Sequence, residues 1–263
     1  FEQFFWGEDQ GHQYRRFDQL RVSYNTIQTF RIIAGAFLLF ICTFGIFFSG
    51  DGEWYYFFLT IWGAHFALIQ MPLDYHAAQD QRYNPGKVTG IKFKIWRMGV
   101  WFTPLSICFQ IVITVIYWAF LDEDPSDDIK RRLFLILIHT TPFIFVLIEF
   151  LMQKWLFRKE HFLATFIVAI LYTPVNYFGS TWRGEPLYPI IIWDPVWLSL
   201  LIFAGMALVL YLLFIGLVRL TKTVNINELE NNQVHLKYAL PMIKFDQDTY
   251  VYVPVKETNM MMI

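Results

Sequence analysis

Residues 133–151 form an apolar run of membrane-crossing length that nevertheless carries His139, Thr140, Thr141 and Glu149. About 20 apolar residues span the roughly 30 Å hydrocarbon core of a bilayer, and inside lipid only a helix or a closed barrel satisfies its own backbone. A polar or ionisable side chain in such a segment is costly. It must face the protein interior and find a partner there.

Five other stretches follow the same plan, at 30–49, 54–73, 98–120, 161–178 and 190–218. Between them lie Gly50-Asp51-Gly52-Glu53, a polar connection over 74–97 with Asn84-Pro85-Gly86 as its turn, the acidic run Leu121-Asp122-Glu123-Asp124-Pro125, a turn over 153–160, and Gly179-Ser180-Thr181-Trp182-Arg183-Gly184. A composition 56% hydrophobic and only 16% charged is that of a membrane protein. The expected fold is therefore all-α, a polytopic bundle of six transmembrane helices over 30–220. It is preceded by an interfacial N-terminal arm, 1–29, and followed by a polar C-terminal tail, 221–263. Fourteen of the 21 lysines and arginines fall on the terminus side of these spans and four on the other, with three in the far tail, which places both termini in the cytosol or its equivalent. Trp54, Tyr55, Tyr56, Trp118, Trp182, Tyr188, Trp193 and Trp197 then form an aromatic belt at the outer ends.

A net charge of −1 with dispersed basic residues gives no footing for nucleic acid. Cys42 and Cys108 sit in apolar runs as small buried hydrophobes, and no metal-type cysteine spacing occurs, so neither metal nor cofactor is expected. The expected partners are membrane lipids, with 1–29 and 221–263 available to other proteins. The sequence opens at Phe1, as a processed or incomplete chain would, and 2–21 lacks the apolar core of a secretory signal. Endoplasmic reticulum, plasma membrane and mitochondrial inner membrane all suit such an integral protein.

The position of a residue within its span gives its depth. At a rise of 1.5 Å per residue, Thr60 in the second span and His139 in the fourth both lie about 9 Å below the outer face. Asn176 in the fifth span and Asp194 at the start of the sixth stand near the same level. A threonine hydroxyl becomes a nucleophile when histidine takes its proton, and Asn176 or Asp194 on the other ring nitrogen would orient the imidazole. Each polar group also has an ordinary use, since membrane threonines commonly bond a carbonyl one turn back and histidines bond a neighbouring helix. His65 reads as structural, and Glu149 and His161 as interfacial groups beside Lys154, Arg158 and Lys159. Pro104, Pro142 and Pro174 are expected to kink their spans and widen a cavity.

Gly52-Glu53-Trp54-Tyr55-Tyr56-Phe57-Phe58-Leu59-Thr60, with Gln70 beyond, resembles the second-span pattern of the androgen-induced-protein-like multipass hydrolases. Ile138-His139-Thr140-Thr141-Pro142 with Leu147-Ile148-Glu149 resembles that family's fourth-span histidine motif, and the likeness extends over roughly 30–220. It implies a six-span enzyme that hydrolyses fatty-acid esters of hydroxy fatty acids, with Thr60 as nucleophile and His139 as base. One departure is that Leu135 and Ile136 stand where that family has an asparagine shortly before its histidine. His161-Phe162-Leu163 and Leu187-Tyr188-Pro189-Ile190-Ile191-Ile192-Trp193-Asp194-Pro195 resemble instead the later spans of the Rolling stone-like proteins. That second likeness implies the same six-span plan in an adhesion or fusion factor, and a non-catalytic accessory subunit of a larger membrane complex fits the long termini equally.

Overall fold

The computed structural model describes residues 20–48, 52–83, 91–121, 129–153, 157 and 159–239. The arm over 1–19, the turn at Asn84-Pro85-Gly86, most of the acidic run and the tail beyond 239 lie outside the described residues. Among the described residues six long helices follow one another: α1 (Tyr24–Phe48), α2 (Leu59–Tyr83), α3 (Ile91–Ile116), α4 (Ile129–Met152), α5 (Phe162–Arg183) and α6 (Val196–Ala239). A 3₁₀ turn, Gly52–Phe57, precedes α2, a π-helical turn, Tyr117–Leu121, ends α3, and a second 3₁₀ turn, Lys159–His161, leads into α5. No strand occurs among the described residues. One isolated antiparallel bridge joins Leu20 to Gln153, beside a hydrogen bond of 2.9 Å from Arg21 N–H to the Met152 carbonyl.

Five segments among the described residues are long and apolar enough to cross a membrane: Tyr24–Phe48, Met98–Ala119, Ile129–Met152, Lys159–Arg183 and Val196–Thr221. This is the architecture of an integral membrane protein. Large apolar side chains on the outer surfaces of α1, α5 and α6, such as Phe47, Ile170 and Leu201, are left exposed and require lipid as solvent.

The sixth long helix, α2, is different in kind. It carries His65, Gln70, Asp74 and His76, yet Thr60, Ala67, Gln70, Met71, Asp74 and Ala78 are buried, because α1, α3 and α4 surround it. Its residues are solvated by protein, so hydropathy understates it. The polar stretch 74–83, expected as part of a loop, is its last two and a half turns, and 91–97 opens α3. Helix α6, expected from residue 190, begins at Val196 and runs on to Ala239 through what reads as tail.

Pro72, Pro104, Pro142 and Pro174 all lie within assigned helices. Gly184 ends α5 in the left-handed region at φ 78°, its N–H returning 3.0 Å to the Ser180 carbonyl. The chain then folds back over this end of the bundle. Leu187 N–H binds Ser180 Oγ at 3.2 Å, and this return brings Tyr188 onto the start of α2. Trp118, Trp182 and Trp197 are exposed, whereas Tyr55 is 1% exposed and donates its hydroxyl to the Cys42 carbonyl at 2.9 Å.

Candidate active site

Thr60 is the second residue of α2, and the Thr60 Oγ1 to His139 Nε2 distance is 3.0 Å. The other ring nitrogen, His139 Nδ1, lies 2.7 Å from the Leu135 carbonyl one turn back. A carbonyl only accepts, so Nδ1 carries the hydrogen. In the neutral ring Nε2 is then a lone-pair acceptor, and the Thr60 hydroxyl donates to it. Tyr117 lies flat on the imidazole, with ring centroids 3.7 Å apart and planes 11° from parallel. The π-helical turn that starts at Tyr117 re-aims the end of α3 so that this stacking occurs.

Four other threonines in the bundle behave ordinarily. Thr103, Thr173, Thr181 and Thr221 each bond the carbonyl four residues back. The corresponding carbonyl for Thr60, that of Tyr56, accepts the Trp62 indole N–H at 2.9 Å. Thr60 therefore spends its hydroxyl on histidine rather than on its own helix.

The first N–H groups of a helix have no partner within it and give that end a partial positive charge. At α2 the Leu59 N–H, one residue before Thr60, is met by the Tyr188 hydroxyl at 2.8 Å. Tyr172 sends its own hydroxyl to the Phe57 carbonyl at 2.8 Å. Thr60, His139, Tyr117, Tyr172 and Tyr188 share one cavity of about 30 Å³, enough for a water or two, whose remaining wall includes Val112, Ile113, Ile116, Ile191, Phe203 and Met206. Ile190, which also lines it, is exposed.

The two expected orienting groups stand elsewhere. Asn176 Oδ1 accepts the Trp193 indole N–H at 2.9 Å, and Asp194 is exposed at the start of α6. The Leu135 carbonyl holds the ring in their place. Tyr188 reads as a belt residue in the sequence, and its only distinguishing signal is its place in an apolar stretch just after a glycine turn. His65 Nδ1 bonds the Ile61 carbonyl at 2.7 Å, a local helix contact.

Glu149 requires a correction. It is 0% exposed, and Arg31 Nε reaches its Oε1 at 2.7 Å across 118 residues of sequence. Gln70 Nε2 lies 2.8 Å from Glu149 Oε2 and 3.2 Å from Asp74 Oδ2, and Gln153 Nε2 lies 3.2 Å from Glu149 Oε1. Arg31 also contacts Gln28 Oε1 at 2.9 Å. Glu149 thus belongs to a buried polar centre built from α1, α2 and α4 rather than to the interface. His161, expected beside it at the surface, is 1% exposed. Among the described residues no group of three or more histidine, cysteine, aspartate or glutamate side chains is placed to hold a metal ion.

Comparison with protein-family models, curated proteins and solved structures returns no match for this chain.

Proposed function

We propose that the chain is a membrane-embedded threonine/histidine hydrolase of fatty-acid esters, built on six spans with α2 as the second and with both termini on the cytosolic or equivalent side. The observation that carries this reading is the 3.0 Å contact between Thr60 Oγ1 and His139 Nε2, with Nδ1 committed to the Leu135 carbonyl. The resemblance of 52–60 and 138–149 to the androgen-induced-protein-like hydrolases points to the same two residues.

In the reaction, His139 Nε2 takes the Thr60 proton as Oγ1 attacks the ester carbonyl, and then gives it to the departing alcohol. Water attacks the acyl-threonine, again losing its proton to Nε2, and the proton passes to Thr60 Oγ1 as the acid leaves. The Tyr188 hydroxyl and the start of α2 supply positive dipoles where the oxyanion grows. Tyr117 keeps the imidazole flat against one wall. The apolar lining favours a lipid ester over a polar one.

The test is labelling by a fluorophosphonate probe of the purified chain in detergent or nanodiscs. Labelling of the native chain, lost in Thr60→Ala and His139→Ala and kept in Thr181→Ala, is expected. An unlabelled native chain, or equal labelling of Thr60→Ala, overturns the assignment.

One observation favours a second reading, a non-catalytic accessory subunit. Helix α6 has 44 residues and continues well past its membrane-length segment Val196–Thr221. The continuation is about 27 Å of helix at 1.5 Å per residue, suited to contact with another protein. Extraction from its native membrane in mild detergent as part of a stoichiometric assembly, together with no probe labelling, would favour it.

A further inference from the structure

Thr103, Ser106, Gln110 and Thr114 recur along α3 at steps of three and four, which sets them on one helix face. The first three are at most 1% exposed. Along α2, Thr60, Gly63, Ala67, Gln70 and Asp74 follow the same spacing. The two faces meet: Thr103 Oγ1 lies 3.2 Å from Asp74 Oδ2, and a Cβ on Gly63 would lie 3.1 Å from the Gln110 amide nitrogen. Helix α4 closes the seam with His139 at its outer end and Glu149 and Gln153 at its inner end. At the outer end Thr114 Oγ1 donates to the His139 carbonyl at 2.7 Å.

Seven buried atoms along this seam have no hydrogen-bond partner among the described residues: Ser106 Oγ, Gln110 Nε2 and Oε1, Gln70 Oε1, Asp74 Oδ1, Arg31 Nη2 and Gln153 Oε1. Exchanging the two ends of the Gln110 amide changes nothing, since both are unpartnered. Each such group left dry carries the full cost of its lost hydration, and seven of them together would rival the net stability of a whole domain. Buried water, making about three hydrogen bonds per molecule, is what satisfies groups of this kind. Successive positions are separated by about 4.5–6 Å along the helix, a gap bridged by one or two hydrogen bonds. The neighbouring α3 positions Ile107, Cys108, Phe109 and Val112 are apolar and buried, so the polar seam is confined to one stripe.

We propose that α2, α3 and α4 enclose a file of water molecules running from the Arg31–Glu149–Asp74 centre to the Thr60–His139 pair. This file supplies the water that cleaves the acyl-threonine and carries away the proton of the released acid. The file itself stands on the unpartnered atoms, and its supply role rests on the hydrolase reading. Thr103 to Thr114 covers about 16 Å of the membrane's depth. At its inner end the polar centre lies just beneath the Leu20–Gln153 bridge.

The test uses the full chain in liposomes with Cys42→Ser and Cys108→Ser as background and silver ion as a water-sized thiol probe. Silver replaces the thiol proton, and after denaturation the blocked cysteine no longer takes a maleimide. Ser106→Cys is expected to be blocked by silver in the folded chain. Leu38→Cys, at a fully buried apolar position, is expected to stay unblocked. Protection of Ser106→Cys equal to that of Leu38→Cys overturns the file, whether or not the chain hydrolyses anything. A second arm follows turnover in Gln110→Leu, expected to fall about tenfold with acyl-Thr60 accumulating while fluorophosphonate labelling persists. Unchanged turnover overturns the supply role and leaves the silver result to stand or fall alone.

Discussion

Arg31 Nε lies 2.7 Å from Glu149 Oε1, and neither side chain is exposed at all. Opposite charges so deeply buried are tied by position more than by strength, because desolvation offsets most of their attraction. Removing one partner leaves the other stranded. Arg31→Met or Glu149→Leu alone is expected to cost about 3–5 kcal/mol, and the double variant to regain most of that loss. Thermal unfolding in detergent decides it, and strictly additive losses would show that the two residues act independently.

Tyr188→Phe removes the hydroxyl that meets Leu59 N–H at 2.8 Å beside Thr60. If that hydroxyl faces the oxyanion, kcat falls about 10²–10³-fold with KM nearly unchanged. If it only caps α2, stability falls by about 0.5–1.5 kcal/mol and kcat stays. Steady-state kinetics and melting curves on the same preparation separate the two roles.

At Gly45 an added Cβ would come within 2.6 Å of both the Tyr55 hydroxyl and the Phe134 ring, and at Gly179 within 2.5 Å of the Phe57 ring. These contacts press α1 against α4 and the 3₁₀ turn against α5. Gly45→Ala and Gly179→Ala are each expected to destabilise by about 1–3 kcal/mol through overpacking. Gly205→Ala, with nothing within 4 Å of its Cβ, is the control, and its melting temperature should match the native chain.

Burial is the leading cause that raises the phenols of Tyr55 and Tyr188 above the ordinary tyrosine value of 10.0. A raised acid binds its proton more tightly when folded. Its stabilisation is complete below the unfolded value and is lost as pH climbs from there through the folded one. Unfolding free energy should therefore decline above about pH 10, and Tyr55→Phe should flatten that decline. A pH-independent difference between Tyr55→Phe and the native chain over this range counts against the explanation.

The apolar spans were readable because lipid-facing helices carry their message on the outside. Thr60 and His139 were placed at a common depth by helix rise alone, and they stand 3.0 Å apart. Helix α2 beyond Leu73 was not readable, since a segment solvated by its neighbours need not be apolar. Neither was the partnership of Arg31 with Glu149: both lie near segment ends, where hydropathy places charges at the interface, and no local spacing links residues 118 apart. Tyr188 was hidden for a related reason. A tyrosine beside a span reads as belt, and only the return of the chain after Gly184 shows that this one turns inward.

Helix α2 also has a consequence for how the protein is made. Polar and ionisable side chains are costly to place in a bilayer without partners, and α2 brings Asp74 together with Gln70 and His65 on one helix. On the six-span reading, such a segment does not partition into lipid alone during synthesis. It waits at the insertion machinery until Thr103 of α3 and Glu149 of α4 arrive to receive it, so the first four helices enter the membrane as one unit. Truncated chains ending before α4 should therefore leave α2 accessible to water-soluble labels, and chains extending past Met152 should shield it.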